Sequence, residues 1–244
     1  MPSHAQLQAA LAQYPRALSL RAHASKASKD LVELDEWSRV ELRDQVSQRR
    51  KENGEGTAFL TREELGKVMT WKLARGKFRP RLQDLVLSNP ASLVESTTSS
   101  SSLASPADAL TQLCTLKGIG PATASAILAL WHPEDEPFMS DESLEHCEAY
   151  GEDDEGKGKR DYTVKAWKTL RTHMQERKEK EEWASMEDLE KALWSWAVER
   201  KYGGQAGTKE KEVNVEEPKK PSSQKRASTS TETSAPHVTK KRKS

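Results

Sequence analysis

The stretch LKGIGPATASAIL, residues 116–128, decides how the rest of the chain is interpreted. Gly118 and Gly120 permit a tight turn with positive φ, because neither carries a Cβ. Pro121 suits the first turn of a following helix, where its missing N–H costs nothing. We therefore predict a helix that ends near Leu116, a short turn, and a second helix that begins at Pro121 and lies close against the first.

The predicted turn has a chemical consequence. Free backbone N–H groups at the start of the second helix, with the positive end of the helix dipole behind them, form an anion site that suits phosphate. Contacts of this kind bind a nucleic-acid backbone and give no sequence preference. The predicted backbone-binding residues are Lys117, Gly118, Ile119, Gly120, Ala122 and Thr123. The alternative is a packing turn between two core helices, with no ligand.

This pattern resembles the helix-hairpin-helix motif of the helix-hairpin-helix DNA glycosylase superfamily. The resemblance rests on Leu116-x-Gly118-Ile119-Gly120-Pro121-x-Thr123-Ala124-x-x-Ile127-Leu128 and covers about residues 105–147. It implies a multi-helix bundle and cleavage of the N-glycosidic bond of a flipped nucleotide, assisted by a carboxylate. Asp141, which follows a short loop that contains Pro137, matches the position of that carboxylate.

Two further expectations come from the resemblance alone. Members that also cut the strand carry a lysine two residues after the second glycine, and this chain has Ala122 there. The resemblance therefore implies no strand cleavage through a Schiff base. Some members hold a monovalent cation on backbone carbonyls, and the matching carbonyls belong to Cys114, Leu116 and Ile119.

Asp141 also has a purely structural interpretation. Ser140 is a good N-cap residue, and acidic residues at positions 141 and 142 favour the positive end of a helix. Capping alone explains all three residues without catalysis. His132, His146 and Cys147 lie close by in sequence but lack the spacing of a metal site, so we expect structural roles for them and no metal or cofactor.

A basic stretch runs from Thr61 to Arg81, with Trp71 and Phe78 interleaved. Cations interleaved with aromatic residues suit a phosphate backbone with a stacked base, while the alternative is a solvated helix face with Trp71 in the core. The candidate basic patch within this stretch consists of Arg75, Lys77, Arg79 and Arg81.

Composition limits the class of protein. Hydrophobic residues make up 34% of the 244 residues and charged residues 32%, which is polar for a chain that folds throughout. No run approaches 18 apolar residues, so we expect no membrane partner. Two cysteines exclude a disulfide framework, an all-cysteine zinc site and an all-cysteine iron–sulfur cluster within one chain.

Charge and composition separate a tail from the rest of the chain. Residues 203–244 carry ten Lys/Arg and five Asp/Glu, so residues 1–202 have a net charge of −4 within a total of +1. The tail has few apolar residues, and we predict that it is disordered. Its basic runs are typical of nuclear-import signals; they are Lys219-Lys220 with Lys225-Arg226, and residues 240–243. The tail could also bind a protein partner. The alternative is a tail that only makes the protein more soluble.

Helical periodicity dominates residues 1–202. Leu31, Leu34, Trp37, Leu42 and Val46 form one stripe, and Val40 lies outside it. Helix starts are predicted at a Thr61–Glu64 capping box and at the N-caps Ser105 and Ser185. Ser88-Asn89-Pro90 breaks a helix, and the Ser/Thr run 96–102 is expected to be a flexible or weakly helical connector.

The sequence therefore predicts an all-α, glycosylase-like bundle over 1–202 with one helix-hairpin-helix at 106–131. Three functions follow. The first is a nuclear, non-catalytic protein that binds the DNA backbone without sequence preference. The second is a monofunctional DNA N-glycosylase that uses Asp141. The third is a protein-interaction scaffold that has reused the hairpin.

Overall fold

A computed structural model describes residues 1–52, 58–102, 104–145 and 161–204. Within these residues the chain forms helices and no strands, which confirms the all-α prediction. The helices are α1 His4–Ala12, α2 Tyr14–Ala24, α3 Leu31–Glu36, α4 Leu42–Glu52, α5 Arg62–Arg75, α6 Pro80–Leu87, α7 Ala91–Ser101, α8 Pro106–Leu113, α9 Pro121–Trp131, α10 Asp141–Glu145, α11 Val164–Lys180 and α12 Met186–Tyr202. No helix in these ranges is long and apolar enough to cross a membrane.

Helices α3 and α4 form one rod, joined by the π-helical turn Trp37–Glu41. The N–H of Leu42 bonds to the carbonyl of Trp37, five residues back. The π-helical turn places Trp37 and Leu42, which are five positions apart, on the same buried side of the rod. In a regular α-helix these two side chains would point in different directions. Val40 is 45% exposed, as its position outside the stripe predicts.

The predicted helix starts are confirmed. The Thr61 hydroxyl accepts the N–H of Glu64 at 3.2 Å, and the Glu64 carboxylate accepts the N–H of Thr61 at 2.8 Å. The hydroxyls of Ser105 and Ser185 cap α8 and α12 by accepting the N–H groups of Asp108 and Asp188. Gly76 ends α5 with φ −108°, outside the left-handed region, so the glycine is not required there for a left-handed cap.

The Ser/Thr run is helical and is not a flexible connector, because these residues continue α7 to Ser101. Thr98 and Ser101 are buried, and the Thr98 hydroxyl accepts the N–H of Leu60 at 3.0 Å. Both hydroxyls also donate to carbonyls four residues earlier, at 2.7 Å each. The run packs because each buried polar side chain finds a partner on the backbone.

One hydrophobic cluster runs from Leu7 in α1 to Val198 in α12. Trp71, Trp167 and Trp194 are among its largest fully buried side chains. Helix α12 ends at Tyr202, directly before Gly203. The tail from residue 205 onward, with its basic runs, lies outside the described residues, as do His146 and Cys147.

A buried ion network links α5 to α3 and α12. The guanidinium of Arg75 donates to Glu190 at 2.6 Å and to the hydroxyl of Tyr14 at 2.7 Å, and it lies 3.4 Å from Asp35. Trp71 donates its indole N–H to the same Asp35 carboxylate at 2.8 Å. Sequence analysis did not find this network, which fixes the end of α5 relative to the rest of the core.

Candidate functional site

The turn between α8 and α9 has a shape close to the predicted one. Gly118 adopts φ +80°, in the left-handed region, while Gly120 is extended with φ −109° and ψ 177°. The expectation of positive φ at both glycines is therefore wrong for Gly120, which serves as the N-cap of α9. Helix α8 ends at Leu113, three residues before the predicted end, and Ile119 packs into the core with 5% exposure.

Asn89, in the break between α6 and α7, holds this turn in place. Its side-chain amide accepts the N–H of Lys117 at 3.0 Å and donates to the carbonyl of Lys117 at 3.0 Å. It also donates to the carbonyl of Val86 at 2.8 Å and is only 2% exposed. The N–H of Lys117 is thus already bonded, while the Lys117 side chain is exposed and does not line the cleft described below.

The start of α9 keeps donors without protein partners. No hydrogen bond among the described residues uses the N–H of Gly118, Gly120 or Ala122. By contrast, the N–H groups of Thr123 and Ala124 both donate to the Gly120 carbonyl, at 2.8 and 2.9 Å. Free donors at the N-terminus of a helix favour an anion, since the helix dipole adds to their partial positive charge.

A cleft of about 280 Å³ opens beside this turn. Helices α5, α6, α9, α10 and α12 line it, together with the turn before α9 and the segments that follow α5, precede α10 and precede α11. The lining residues are Lys72, Leu73, Arg75, Gly76, Lys77, Arg79, Leu82, Gly118, Gly120, Pro121, Ala122, Thr123, Phe138, Met139, Ser140, Asp141, Glu142, Tyr162 and Trp194. The fold therefore gathers the turn, part of the basic stretch and Asp141 around one cavity.

The candidate basic patch divides in the structure. Lys77 and Arg79 are exposed and line the cleft. Arg75 also borders the cleft but is 2% exposed and engaged with buried acids, so its assignment to a surface patch is wrong. Arg81 is exposed and does not line the cleft. Trp71 is 1% exposed, as the core alternative for this residue predicts.

Asp141 begins α10 and lines the cleft. The hydroxyl of Tyr162 donates to its Oδ1 atom at 2.5 Å. The capping role belongs to Ser140, whose hydroxyl accepts the N–H of Ser143 at 3.1 Å. The carboxylate of Asp141 thus borders the cavity while its neighbour caps the helix.

Two ionisable groups beside Asp141 are perturbed by their surroundings. Burial raises the pKa of Glu142 to about 7, and the nearby charge of Asp141 adds to the effect. Burial lowers the pKa of Lys72 to about 8; Asp141 opposes this shift and Arg79 adds to it. Strongly perturbed groups gathered in a cleft are typical of functional sites.

The cleft contains residues that sequence analysis missed. Tyr162 lies 21 residues beyond Asp141, and no local pattern pairs the two. Lys72 could have been found, because it lies one helical turn before Gly76 and close to the predicted patch. Glu142 was assigned only to helix capping, although its carboxyl faces the same cavity as that of Asp141.

One carbonyl of the predicted cation site already accepts a hydrogen bond from the protein. The carbonyl of Leu116 accepts the N–H of Ile119 at 3.1 Å, and the site on Cys114, Leu116 and Ile119 stays a prediction. Within the described ranges, no three His, Cys, Asp or Glu side chains are grouped as metal ligands.

Comparison with protein-family models, curated proteins and solved structures gives no match for this chain.

Proposed function

We propose that this chain is a DNA-binding protein that holds the phosphate backbone at the turn before α9. The observation that carries the proposal is the position of the unbonded N–H groups of Gly120 and Ala122, on the edge of a cleft that Lys77 and Arg79 also line. Backbone donors, a helix N-terminus and mobile cations together are the common means of binding phosphate.

The proposed contact is local. Residues 1–202 carry a net charge of −4, so the whole surface does not attract nucleic acid. Lys77 and Arg79 concentrate positive charge beside the free amides. Salt screens the charge of acidic residues that lie farther than about 10 Å from a bound phosphate, so these residues have little effect on it. The proposal includes no base-specific readout. We further propose that residues 106–131 form a helix-hairpin-helix. We also propose that the protein acts in the nucleus, which agrees with the basic runs of the tail.

Fluorescence anisotropy with a labelled duplex at several salt concentrations tests this proposal. We expect the binding constant to fall steeply with salt, since each phosphate contact adds about 0.9 to the slope of its logarithm. Replacing both Lys77 and Arg79 by Ala should lower affinity and reduce that slope by about two. The control is Lys29→Ala, which removes an exposed lysine outside the cleft.

Two outcomes would count against DNA binding. Affinity that does not change with salt would contradict a backbone contact. No measurable binding to duplex DNA at low salt would leave the protein-interaction scaffold as the better account of the fold.

One observation favours a second function, base excision. Asp141 lines the cleft, and the hydroxyl of Tyr162 donates a hydrogen bond to its carboxylate. A carboxylate in this place could stabilise a cation-like sugar or assist attack by water on a nucleotide that has left the duplex. Phe138 also lines this cavity.

Base release from duplexes that carry single damaged bases separates the enzyme from a protein that only binds. If Asp141 is catalytic, Asp141→Asn should abolish release while leaving the affinity for DNA within about twofold. Tyr162→Phe is the matched variant, because it keeps the ring and removes the hydrogen bond to Asp141, and it should slow release by a smaller factor. If the unaltered protein releases no base, the enzyme proposal fails and the DNA-binding proposal stands.

A further inference from the structure

The positive charge of this chain is concentrated near its C-terminal end. Residues 218–244, called the basic arm below, carry eight Lys/Arg and one Glu, a net charge of +7. Residues 205–217 carry two Lys and four Glu, a net charge of −2, and residues 1–202 have a net charge of −4. The chain before the arm is therefore acidic. The arm lies outside the described residues, while the chain that leads to it is described as far as Gly204.

The described chain ends beside the cleft. The guanidinium of Arg21 donates to the carbonyl of Gly76 at 2.5 Å. The same guanidinium lies 6.0 Å from the ring centre of Tyr202, the last residue of α12. The ends of α5 and α12 therefore meet at one arginine. Gly76 lines the cleft, and the chain continues from it into Lys77 and Arg79, so the basic arm is attached near the cations of the cleft.

The cleft offers DNA only a small electrostatic attraction. Of the described residues that line it, Lys77 and Arg79 are the exposed cations. Two phosphate contacts give a slope of only about 2 in the fall of log K with log salt. The net negative charge of residues 1–217 opposes the approach of further phosphates. Tight binding to a DNA backbone therefore needs cations from another part of the chain.

We propose that the basic arm is a second DNA-binding element, which contacts phosphates that flank those at the cleft. Thirteen residues separate Gly204 from the arm, and a chain spans at most about 3.5 Å per residue. The arm can therefore begin up to about 50 Å from Gly204, a distance of about 15 base pairs along a duplex. Once the cleft has bound, the arm binds the same DNA intramolecularly, and this linkage raises the overall affinity.

The inference deepens the proposed function and rests on it for the contact at the cleft. It gives the basic runs a binding role besides that of the predicted import signal. Because the arm contacts phosphate, it adds no base preference. It adds a preference for length, since the duplex must extend beyond the cleft before the arm has phosphates to bind.

Fluorescence anisotropy with a 24-base-pair duplex and an 8-base-pair hairpin duplex tests this proposal on the full chain. The arm variant replaces eight cations by Gln; they are Lys219, Lys220, Lys225, Arg226, Lys240, Lys241, Arg242 and Lys243. With the longer duplex, the variant should lose at least about thirtyfold in affinity at 0.1 M salt. Its salt slope should fall by at least about four, because eight contacts supply at most about seven. With the shorter duplex, the two proteins should differ by less than about fivefold.

Two controls separate the arm from other causes. A chain whose residues 218–244 stand in reverse order keeps the charge of the arm, and it should bind as tightly as the unaltered chain. Lys29→Ala removes an exposed lysine outside the cleft and should leave the affinity within about twofold. Circular dichroism checks that the arm variant and the reversed chain are folded.

The outcomes distinguish the arm from the cleft. An arm variant with the affinity and salt slope of the unaltered chain overturns the inference, while the Lys77→Ala, Arg79→Ala variant still decides the DNA-binding proposal. Higher affinity in the arm variant also overturns the inference, because the arm then neutralises the acidic part of the chain. If the arm variant loses affinity and the cleft variant does not, the arm is supported and the phosphate contact at the cleft is contradicted.

Discussion

Asn89 and Lys117 are joined by two hydrogen bonds, one in each direction, between the side-chain amide of the first and the backbone of the second. The amide of Asn89 thereby substitutes for a neighbouring peptide group. Because it also bonds to Val86, it ties the turn before α9 to the end of α6. The position of the free donors at Gly120 depends on this attachment.

Replacing Asn89 by Ala should destabilise the fold by about 2–4 kcal/mol, since buried backbone groups at Lys117 and Val86 lose their partners. Chemical denaturation checks this value. Ser88→Ala is the matched control next to it; Ser88 is exposed, and its loss should change stability by less than about 1 kcal/mol. If the two variants are equally stable, Asn89 does not hold the turn.

Gly118 and Gly120 should respond differently to alanine. A Cβ at Gly118 would lie 3.0 Å from side-chain atoms of Leu85 and Val86, and the residue has φ +80°, so Gly118→Ala should cost about 2–3 kcal/mol. A Cβ at Gly120 would meet no atom within 4 Å. Gly120→Ala should therefore cost less than about 1 kcal/mol, because only the weaker N-cap preference of Ala opposes it.

The same Gly120→Ala variant should lose affinity for duplex DNA several-fold, because its new methyl group stands where a phosphate approaches the free amide. Thermal unfolding and anisotropy, measured on both glycine variants, separate the structural effect from the binding effect. Unchanged affinity in Gly120→Ala would argue that phosphate does not approach this amide.

Arg75 should be essential for stability. Arg75→Met leaves the buried carboxylates of Glu190 and Asp35 without a main partner and should destabilise the protein by about 3–5 kcal/mol. Arg62→Met, on the same helix, disrupts only an exposed pair with Glu63 and should cost less than about 1 kcal/mol. Equal midpoints for the two variants in urea unfolding would contradict the buried network.

Glu142 should give stability a particular pH dependence. Its folded pKa of about 7 lies above its ordinary 4.5, so the folded state binds the proton more tightly than the unfolded chain does. The contribution of this group to stability is therefore complete below pH 4.5 and is lost as the pH rises towards 7 and beyond. The loss amounts to at most about 3 kcal/mol.

Glu142→Gln removes this titration. The free energy of unfolding of the variant, relative to that of the unaltered protein, should increase as the pH rises. At pH 8 the variant should be the more stable of the two. Urea unfolding of both proteins between pH 4.5 and 8 measures the difference in their free energies of unfolding. The contributions of other titrating groups cancel in this difference, because both proteins contain them. A difference that does not vary with pH would show that Glu142 is not buried as a neutral acid.

Local sequence predicted those features whose causes are local. The capping box at Thr61, the N-cap at Ser105 and the helix start at Pro121 depend on residues within four positions of each other, and the structure has all three. The stripe through Leu42 predicted a single helix, and the π-helical turn Trp37–Glu41 within it was not predicted.

Features that depend on distant partners were beyond local patterns. Arg75 looks like part of a basic surface, because the acids that bury it lie 40 and 115 residues away in the chain. Tyr162 and Asn89 each act on a residue more than twenty positions away. The cleft is a product of these long-range contacts, so the sequence predicted several of its members without predicting that they share one cavity.

The most direct test of the account is a titration of the ¹⁵N-labelled protein with a short duplex, followed by amide NMR. The account predicts that the amides of Gly118, Gly120 and Ala122 shift most, together with the signals of Lys77 and Arg79, and that the shifts reverse at high salt. Amide signals at this turn that stay in place while the duplex binds elsewhere, or does not bind, would contradict it.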